Sequence, residues 1–140
     1  MYKHNVQYYE TDKMGVTHHS NYIRWMEEAR IYFLQDAGIS YDGLEEMGII
    51  SPVIGCDCKY KKTSTYPDVI SIDCAVEEFN GVKLKLRYTM VNENGELVAE
   101  GHTEHCFLNQ KGYPVRMKKE CPQYYDQLMV WKEASKIEEK

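Results

Sequence analysis

Apolar residues recur along this chain with two different periods. Tyr2, His4, Val6 and Tyr8 alternate with polar neighbours, the two-residue period of an opening strand. From Glu10 to His19 no period holds and Gly15 interrupts, so that stretch reads as a loop. Tyr22, Trp25, Met26, Ala29 and Phe33 then recur at intervals of three and four, which predicts an amphipathic helix of about 16–18 residues. Ser20 or Asn21 can cap its first amides, and Gly38 is a suitable stop. Its polar face would carry Arg24 with Glu28 and Glu27 with Arg30, pairs worth a few tenths of a kcal/mol each. A short helical turn around Asp42 to Met47, closed by Gly48, follows.

The second half returns to the two-residue period. Ile54, Cys56, Cys58 and Tyr60 alternate, then Ile70, Ile72, Cys74 and Val76, then Val82, Leu84, Leu86, Tyr88 and Met90. In the third run Lys83, Lys85, Arg87 and Thr89 fall between the apolar residues, giving one apolar and one largely basic face. Asn80-Gly81 and Asn92-Glu93-Asn94-Gly95 are turns, and Leu97 to Leu108 supplies a returning strand, so three strands form a meander. Pro122 suits the first turn of a final helix carrying Tyr124, Leu128 and Trp131. Residues from about 133 to 140 read as a charged tail, frayed over its last five. One long helix followed by an antiparallel meander predicts an α+β class, with the sheet curved around the helix.

Composition narrows the function classes. The 140 residues fit a single domain, and an apolar content of 43% is enough for a core. No apolar run approaches the roughly 18 residues of a membrane span, and Met1 to Asn5 lacks the apolar stretch of a secretory signal. Five cysteines, an odd number, read as reduced thiols, mostly buried, in a cytoplasmic setting. The net charge of -5 argues against nucleic-acid binding through bulk positive charge. The basic clusters Lys59, Lys61, Lys62 and Arg116, Lys118, Lys119 read as solvated surface.

The loop from Tyr9 to Tyr22 holds the candidate chemistry. It places the Asp12 carboxylate, Gly15 and the pair His18-His19 immediately before the long helix. The first amides of a helix lack intrahelical partners and carry the positive end of its dipole, so they can polarise a carbonyl whose oxygen is gaining charge. A carboxylate delivered there could attack the carbonyl carbon or activate a water. Spacing alone leaves open the plainer alternative that Asp12 is a turn or cap residue.

The run Tyr9-x-Thr11-Asp12-x-x-Gly15-Val16-x-x-His19-x-x-Tyr22, followed by Glu27-x-x-Arg30, resembles the signature of the 4-hydroxybenzoyl-CoA thioesterase/YbgC-type branch of the hotdog superfamily. Tyr60 and Tyr66-Pro67-x-x-Val69 resemble that family's approach to its central strands, and Gly101-x-Thr103 its closing strand. The resemblance covers roughly residues 2 to 125. It implies a hotdog fold, a five-stranded antiparallel sheet wrapped around the long helix. It also implies homo-oligomers, dimers or tetramers, with the active site between subunits. Asp12 matches the catalytic carboxylate, and the His19 amide falls where the family polarises the thioester carbonyl. Gly15, Val16, His18, Tyr22 and Tyr60 would then border the substrate, with Gly15 allowing the tight turn that presents Asp12. Position 18 is His where relatives commonly carry Tyr, which implies a more polar acyl pocket.

Other candidates weaken on inspection. Adjacent His18 and His19 rarely point at one ion, and His102 and His105, three apart on a strand, face opposite ways and read as strand surface. Serine hydrolase chemistry finds no Gly-x-Ser-x-Gly elbow. Lys83, with Lys85 and Arg87, could meet the phosphates of CoA, with Lys59, Lys61 and Lys62 as rivals, or simply coat a solvated face. The resulting expectation is hydrolysis of an acyl-CoA thioester without metal or cofactor. An acyl-carrier-protein thioesterase and a non-catalytic acyl-CoA-binding module are the alternatives.

Overall fold

The computed structural model describes residues 1–138. Strands β1 (Tyr2–Asn5), β2 (Val53–Tyr60), β3 (Val69–Phe79), β4 (Lys83–Val91) and β5 (Leu97–Cys106) form one antiparallel sheet in the order β1-β3-β4-β5-β2. The meander β3–β4–β5 is its centre, as the alternating pattern predicts. Asn80 and Asn92 close the two hairpins by accepting backbone N–H groups on their side-chain oxygens, Val82 and Lys83 at the first, Asn94 and Glu96 at the second. β1 joins outside β3, with Tyr2 opposite Ile72, and β2 outside β5, with Cys58 opposite Gly101.

Helix α1 (Ser20–Asp36) lies against the inner face of this sheet and buries Tyr22, Trp25, Met26, Ala29 and Leu34. They meet Ile70, Ile72, Cys74 and Val76 of β3 and Leu84, Leu86, Tyr88 and Met90 of β4 in one core. Each fully buried large side chain contributes about 1.5–3 kcal/mol. Helix α2 (Tyr41–Glu46) is capped by Ser40, whose hydroxyl accepts from Gly43 N–H. A four-residue helix, α3 (Met117–Glu120), absent from the sequence reading, precedes α4 (Pro122–Glu138), which opens on the expected proline.

Several expectations need correction. β1 stops at Asn5 because a 3-10 turn over Tyr8–Glu10 follows, leaving Tyr8 exposed rather than in the strand. The N-cap of α1 is His19, one residue earlier than predicted, and its side chain makes no capping bond. Arg30 is buried and holds Glu27 at 2.6 Å, so only Glu27 of this pair keeps to the polar face, with its side chain about half exposed. Phe33 is only partly buried and stacks on Trp131 of α4, with centroids 6.2 Å apart. The supposed tail from residue 133 is helical as far as Glu138, while Glu139 and Lys140 lie outside the described residues. Ser135 explains the docking: its hydroxyl accepts the Val76 N–H at 2.9 Å, beside the β3 bulge between Val76 and Glu78. β5 ends at Cys106, and Leu108 instead bridges Ile50 and Pro114.

His102 and His105 do face opposite sides of β5, but only His102 is on the surface. His105 is fully buried beside Thr103, at 2.7 Å, and Thr103 in turn meets the Tyr88 hydroxyl at 2.8 Å. Cys56 is exposed rather than buried, because it lies on the edge strand β2. Val53, Ile54 and Tyr60 of that strand are about half exposed for the same reason.

Candidate active site

The segment between β1 and α1 folds into a small antiparallel hairpin. Thr11 bridges Thr17, Asp12 N–H donates to the Val16 carbonyl at 2.8 Å, and His18 N–H donates to the Glu10 carbonyl at 2.8 Å. Gly15 turns the hairpin with φ of 78°, a left-handed conformation that favours glycine. Asp12 is partly buried; its Oδ1 accepts the Met14 N–H at 2.8 Å, and no described residue donates to Oδ2. The turn thus accounts for one oxygen of the side chain and leaves the other open.

The hairpin runs directly into the start of α1. Asn21 N–H donates to the His18 carbonyl, Tyr22 N–H to the His19 carbonyl, and Ser20 N–H to His18 Nδ1 at 3.2 Å. Among the described residues none accepts from the His19 N–H. The rings of His18 and His19 stack at 4.3 Å, and His18 Nδ1 also meets the Ser20 hydroxyl at 2.9 Å. Both imidazoles are exposed.

His19, Tyr22 and Tyr60 line a cleft of about 220 Å³ together with Thr17, Lys61, Lys62 and Thr63. Tyr60 comes from the end of β2, half exposed, with its hydroxyl 3.4 Å from the His19 carbonyl and its ring 5.1 Å from that of Tyr22. Tyr22 is buried, and its hydroxyl meets Ser64 Oγ at 2.9 Å. Burial raises the Tyr22 phenol above its ordinary value, as it does that of Tyr60. Both therefore act as neutral hydrogen-bonding groups near neutral pH.

The sequence profile of the family described as Thioesterase-like superfamily matches residues 6–131, which include the hairpin, helix α1, the whole meander and the first part of α4. The chain belongs to this superfamily. A DHNA-CoA thioesterase from Staphylococcus aureus has a similar structure, with a TM-score of 0.91 and 34% identity over 99% of this chain and 93% of that one. YneP of Bacillus subtilis (strain 168), which carries the name of a candidate acyl-CoA thioesterase, is 32% identical over 121 residues, 86% of this chain and 88% of that one. A 1,4-dihydroxy-2-naphthoyl-CoA hydrolase from Prochlorococcus marinus (strain NATL2A) is 27% identical over 125 residues, 84% and 77% of the two chains. The five-stranded sheet and helix thus form the hotdog fold, and the protein is a thioesterase.

Within this thioesterase, one hairpin and one cleft contain most of the residues singled out in the sequence. Asp12, Gly15, Val16 and His18 lie on the hairpin or its exit, and His19, Tyr22 and Tyr60 line the cleft. Lys83 is not brought there. It borders a separate depression of about 480 Å³ with Ile54, Glu77, Phe79, Lys85 and Glu104. Lys61 and Lys62, which the sequence offers both as solvated surface and as rivals for the CoA phosphates, line the cleft, though each is paired with an acid, Glu100 and Glu96 respectively. Their position directly after Tyr60 was the available signal.

The sequence reading missed Thr17, Ser64 and Glu10. Thr17 Oγ1 meets Ser64 Oγ at 2.7 Å, and Thr17 N–H donates to the Ser64 carbonyl at 2.8 Å, pinning the hairpin to the segment after β2. Glu10 is buried, and its carboxylate gathers His4, Gln7 and Trp25. Burial alone would raise its pKa, but hydrogen bonds from the Gln7 amide, His4 and Trp25 outweigh that and hold the carboxyl below the usual range.

Proposed function

We propose that this thioesterase hydrolyses an acyl-CoA to the free acid and CoA, with Asp12 as the catalytic carboxylate and the His19 amide as the oxyanion donor. The observation that carries the reading is the hairpin itself. It offers a carboxylate with one oxygen anchored and one open, and it passes directly into a helix whose leading amide has no described partner. Asp12 either adds to the thioester carbon, giving a mixed anhydride that water then opens, or takes a proton from the attacking water. Both routes place negative charge on the carbonyl oxygen, where a preoriented N–H stabilises it more in the transition state than in the ground state. The thiolate of CoA leaves and takes up a proton.

The choice of CoA as carrier is supported by the names of the similar proteins, two of which are a DHNA-CoA thioesterase and a 1,4-dihydroxy-2-naphthoyl-CoA hydrolase. The acyl group would enter beside Tyr22 and Tyr60, and His18 would border it. Val53, Ile54 and Tyr60 are half-exposed apolar residues on an edge strand, and pairing of β2 with the β2 of a second copy would cover them. A dimer or tetramer with the site between subunits fits that edge, and Lys83 would reach CoA phosphates only in such an assembly. The five unpaired cysteines fit a reducing, cytoplasmic setting, and among the described residues no helix is long and apolar enough to cross a membrane.

Release of free thiol from short, long and aromatic acyl-CoAs, measured beside the Asp12→Asn variant, tests the assignment. The variant should lose roughly 100- to 10,000-fold in kcat, the range for a removed general base. Full activity in Asp12→Asn would refute the role of Asp12. Turnover of acyl-carrier-protein esters but not of acyl-CoA would move the substrate class. Saturable acyl-CoA binding without turnover would leave a binding module.

A further inference from the structure

We propose that Glu10 is a positioning residue for this reaction, one that fixes the Asp12 hairpin against the start of α1 from two sides at once. The proposal rests on the reading of Asp12 as the catalytic carboxylate. Glu10 immediately precedes the hairpin and is 5% exposed. Its Oε1 accepts the Gln7 N–H at 2.8 Å and meets His4 Nε2 at 2.8 Å; its Oε2 accepts the Trp25 indole N–H at 2.7 Å. The carboxylate thus joins β1, the 3-10 turn and the second turn of α1. The main chain of the same residue holds the other side. Its carbonyl accepts the His18 N–H at 2.8 Å and the Asn21 side-chain amide at 2.9 Å.

These bonds bracket the reacting groups. Asp12 lies two residues after Glu10 on one arm of the hairpin, and His19 follows His18 on the other. A tilt of α1 relative to the hairpin would change the separation of the Asp12 carboxylate and the His19 amide. A misplacement of about 1 Å can cost on the order of 100-fold in rate. Trp25 resists that tilt because its fully buried ring is tied by its N–H to the residue at the hairpin base.

The acceptor pattern makes the carboxylate hard to replace. Two donors that cannot reverse roles, the Gln7 amide and the Trp25 indole, address different oxygens of Glu10. A glutamine amide, turned either way, sets its NH₂ against one of them. Glu10→Gln keeps the volume and the main-chain bonds but loses one anchor; Glu10→Asp keeps charge and both acceptors on a shorter reach.

The test compares Glu10→Gln, Glu10→Asp, Asp12→Asn and Glu28→Gln by steady-state thiol release from benzoyl-CoA, well below the melting midpoint of each folded variant. Glu28 is the control, since it also touches His4, at 3.2 Å, but is exposed. Glu10→Gln should lower kcat by roughly 10- to 100-fold with KM changed less than about three-fold, the signature of lost alignment rather than lost binding. Glu10→Asp should recover part of that loss, and Glu28→Gln should stay within about two-fold of the unaltered enzyme. Should Glu10→Gln not fold, Glu10→Asp decides by the same split: a lowered kcat at constant KM supports the proposal, and an unchanged kcat overturns it. A folded Glu10→Gln with normal kcat, beside an inactive Asp12→Asn, overturns the positioning role and leaves the Asp12 reading intact. Full activity in Asp12→Asn overturns both.

Discussion

The buried imidazole of His105 should make this thioesterase lose stability between pH 7 and pH 5. Its Nε2 meets Thr103 Oγ1 at 2.7 Å, while its Nδ1 is buried without a described partner. Protonation would give both ring nitrogens an N–H, one of them buried without a described partner, within reach of the positive charge of Arg30. Burial, reinforced by the charge of Arg30, therefore lowers the pKa from 6.5 to about 3. The folded value lies below the unfolded one, so the unfolded chain binds the extra proton between them. The stability is complete above the unfolded pKa and falls as the pH drops from about 7 towards 3. Integrating this single titration from pH 7 to pH 5 gives a loss of about 2 kcal/mol. For a domain of this size that corresponds to roughly 6 °C in melting midpoint. The assay is urea unfolding at both pH values for the unaltered protein and for His105→Gln, which cannot titrate. Carboxylates contribute equally to both proteins and cancel in the comparison. The variant should lose about 2 kcal/mol less than the unaltered protein over the same interval. Equal losses in the two would refute the reasoning.

Two further expectations concern the contacts around α1. At Gly101 an added Cβ would sit 2.3 Å from the Asp57 carbonyl oxygen and 2.5 Å from the Met26 terminal methyl, and the backbone oxygen cannot move away without parting β2 from β5. Gly101→Ala should therefore cost about 1–3 kcal/mol, read as a drop in thermal midpoint, whereas an unchanged midpoint would show that the strands slide freely. Ser64→Ala removes the side-chain partner of the buried Tyr22 hydroxyl, while Thr17 Oγ1 keeps the Ser64 carbonyl at 3.1 Å, and should cost about 1–3 kcal/mol in urea unfolding; restoration by Tyr22→Phe in the same background would identify the unpaired phenol as the cause.

What could be read from the sequence was whatever depends on neighbours along the chain. The alternation through Leu84, Leu86, Tyr88 and Met90 states a strand because successive residues face opposite ways. The stripe Tyr22, Trp25, Met26 and Ala29 states a helix because residues three and four apart share a face. The Asp12 hairpin, too, is local, and its glycine and carboxylate stand out for that reason. Arg30 and His105 defeated the same logic. Each is a polar residue on an inward position, and whether such a residue is buried depends on partners, Glu27 within one turn and Thr103 beside Tyr88, that periodicity does not weigh. Ser135 was likewise unreadable. It docks α4 only because β3 bulges near Val76 and frees an amide fifty-nine positions away in sequence.

The same distinction separates the two carboxylates at the head of the site. Glu10 and Asp12 stand two residues apart in the sequence, and composition treats them alike. Their surroundings do not. Glu10 spends both oxygens on donors from three elements and is held ionised below the usual carboxyl range, so it has no proton to exchange near neutral pH. Asp12 spends one oxygen on its own turn and keeps the other open. Environment, rather than residue type, assigns such roles in sites with paired acids. It follows that exchanging the two, Glu10→Asp with Asp12→Glu, should not give a working enzyme even though the charges are conserved. The longer side chain at position 12 would displace its open oxygen by one methylene, and the shorter one at position 10 would hold the Gln7 and Trp25 donors only on a shorter reach.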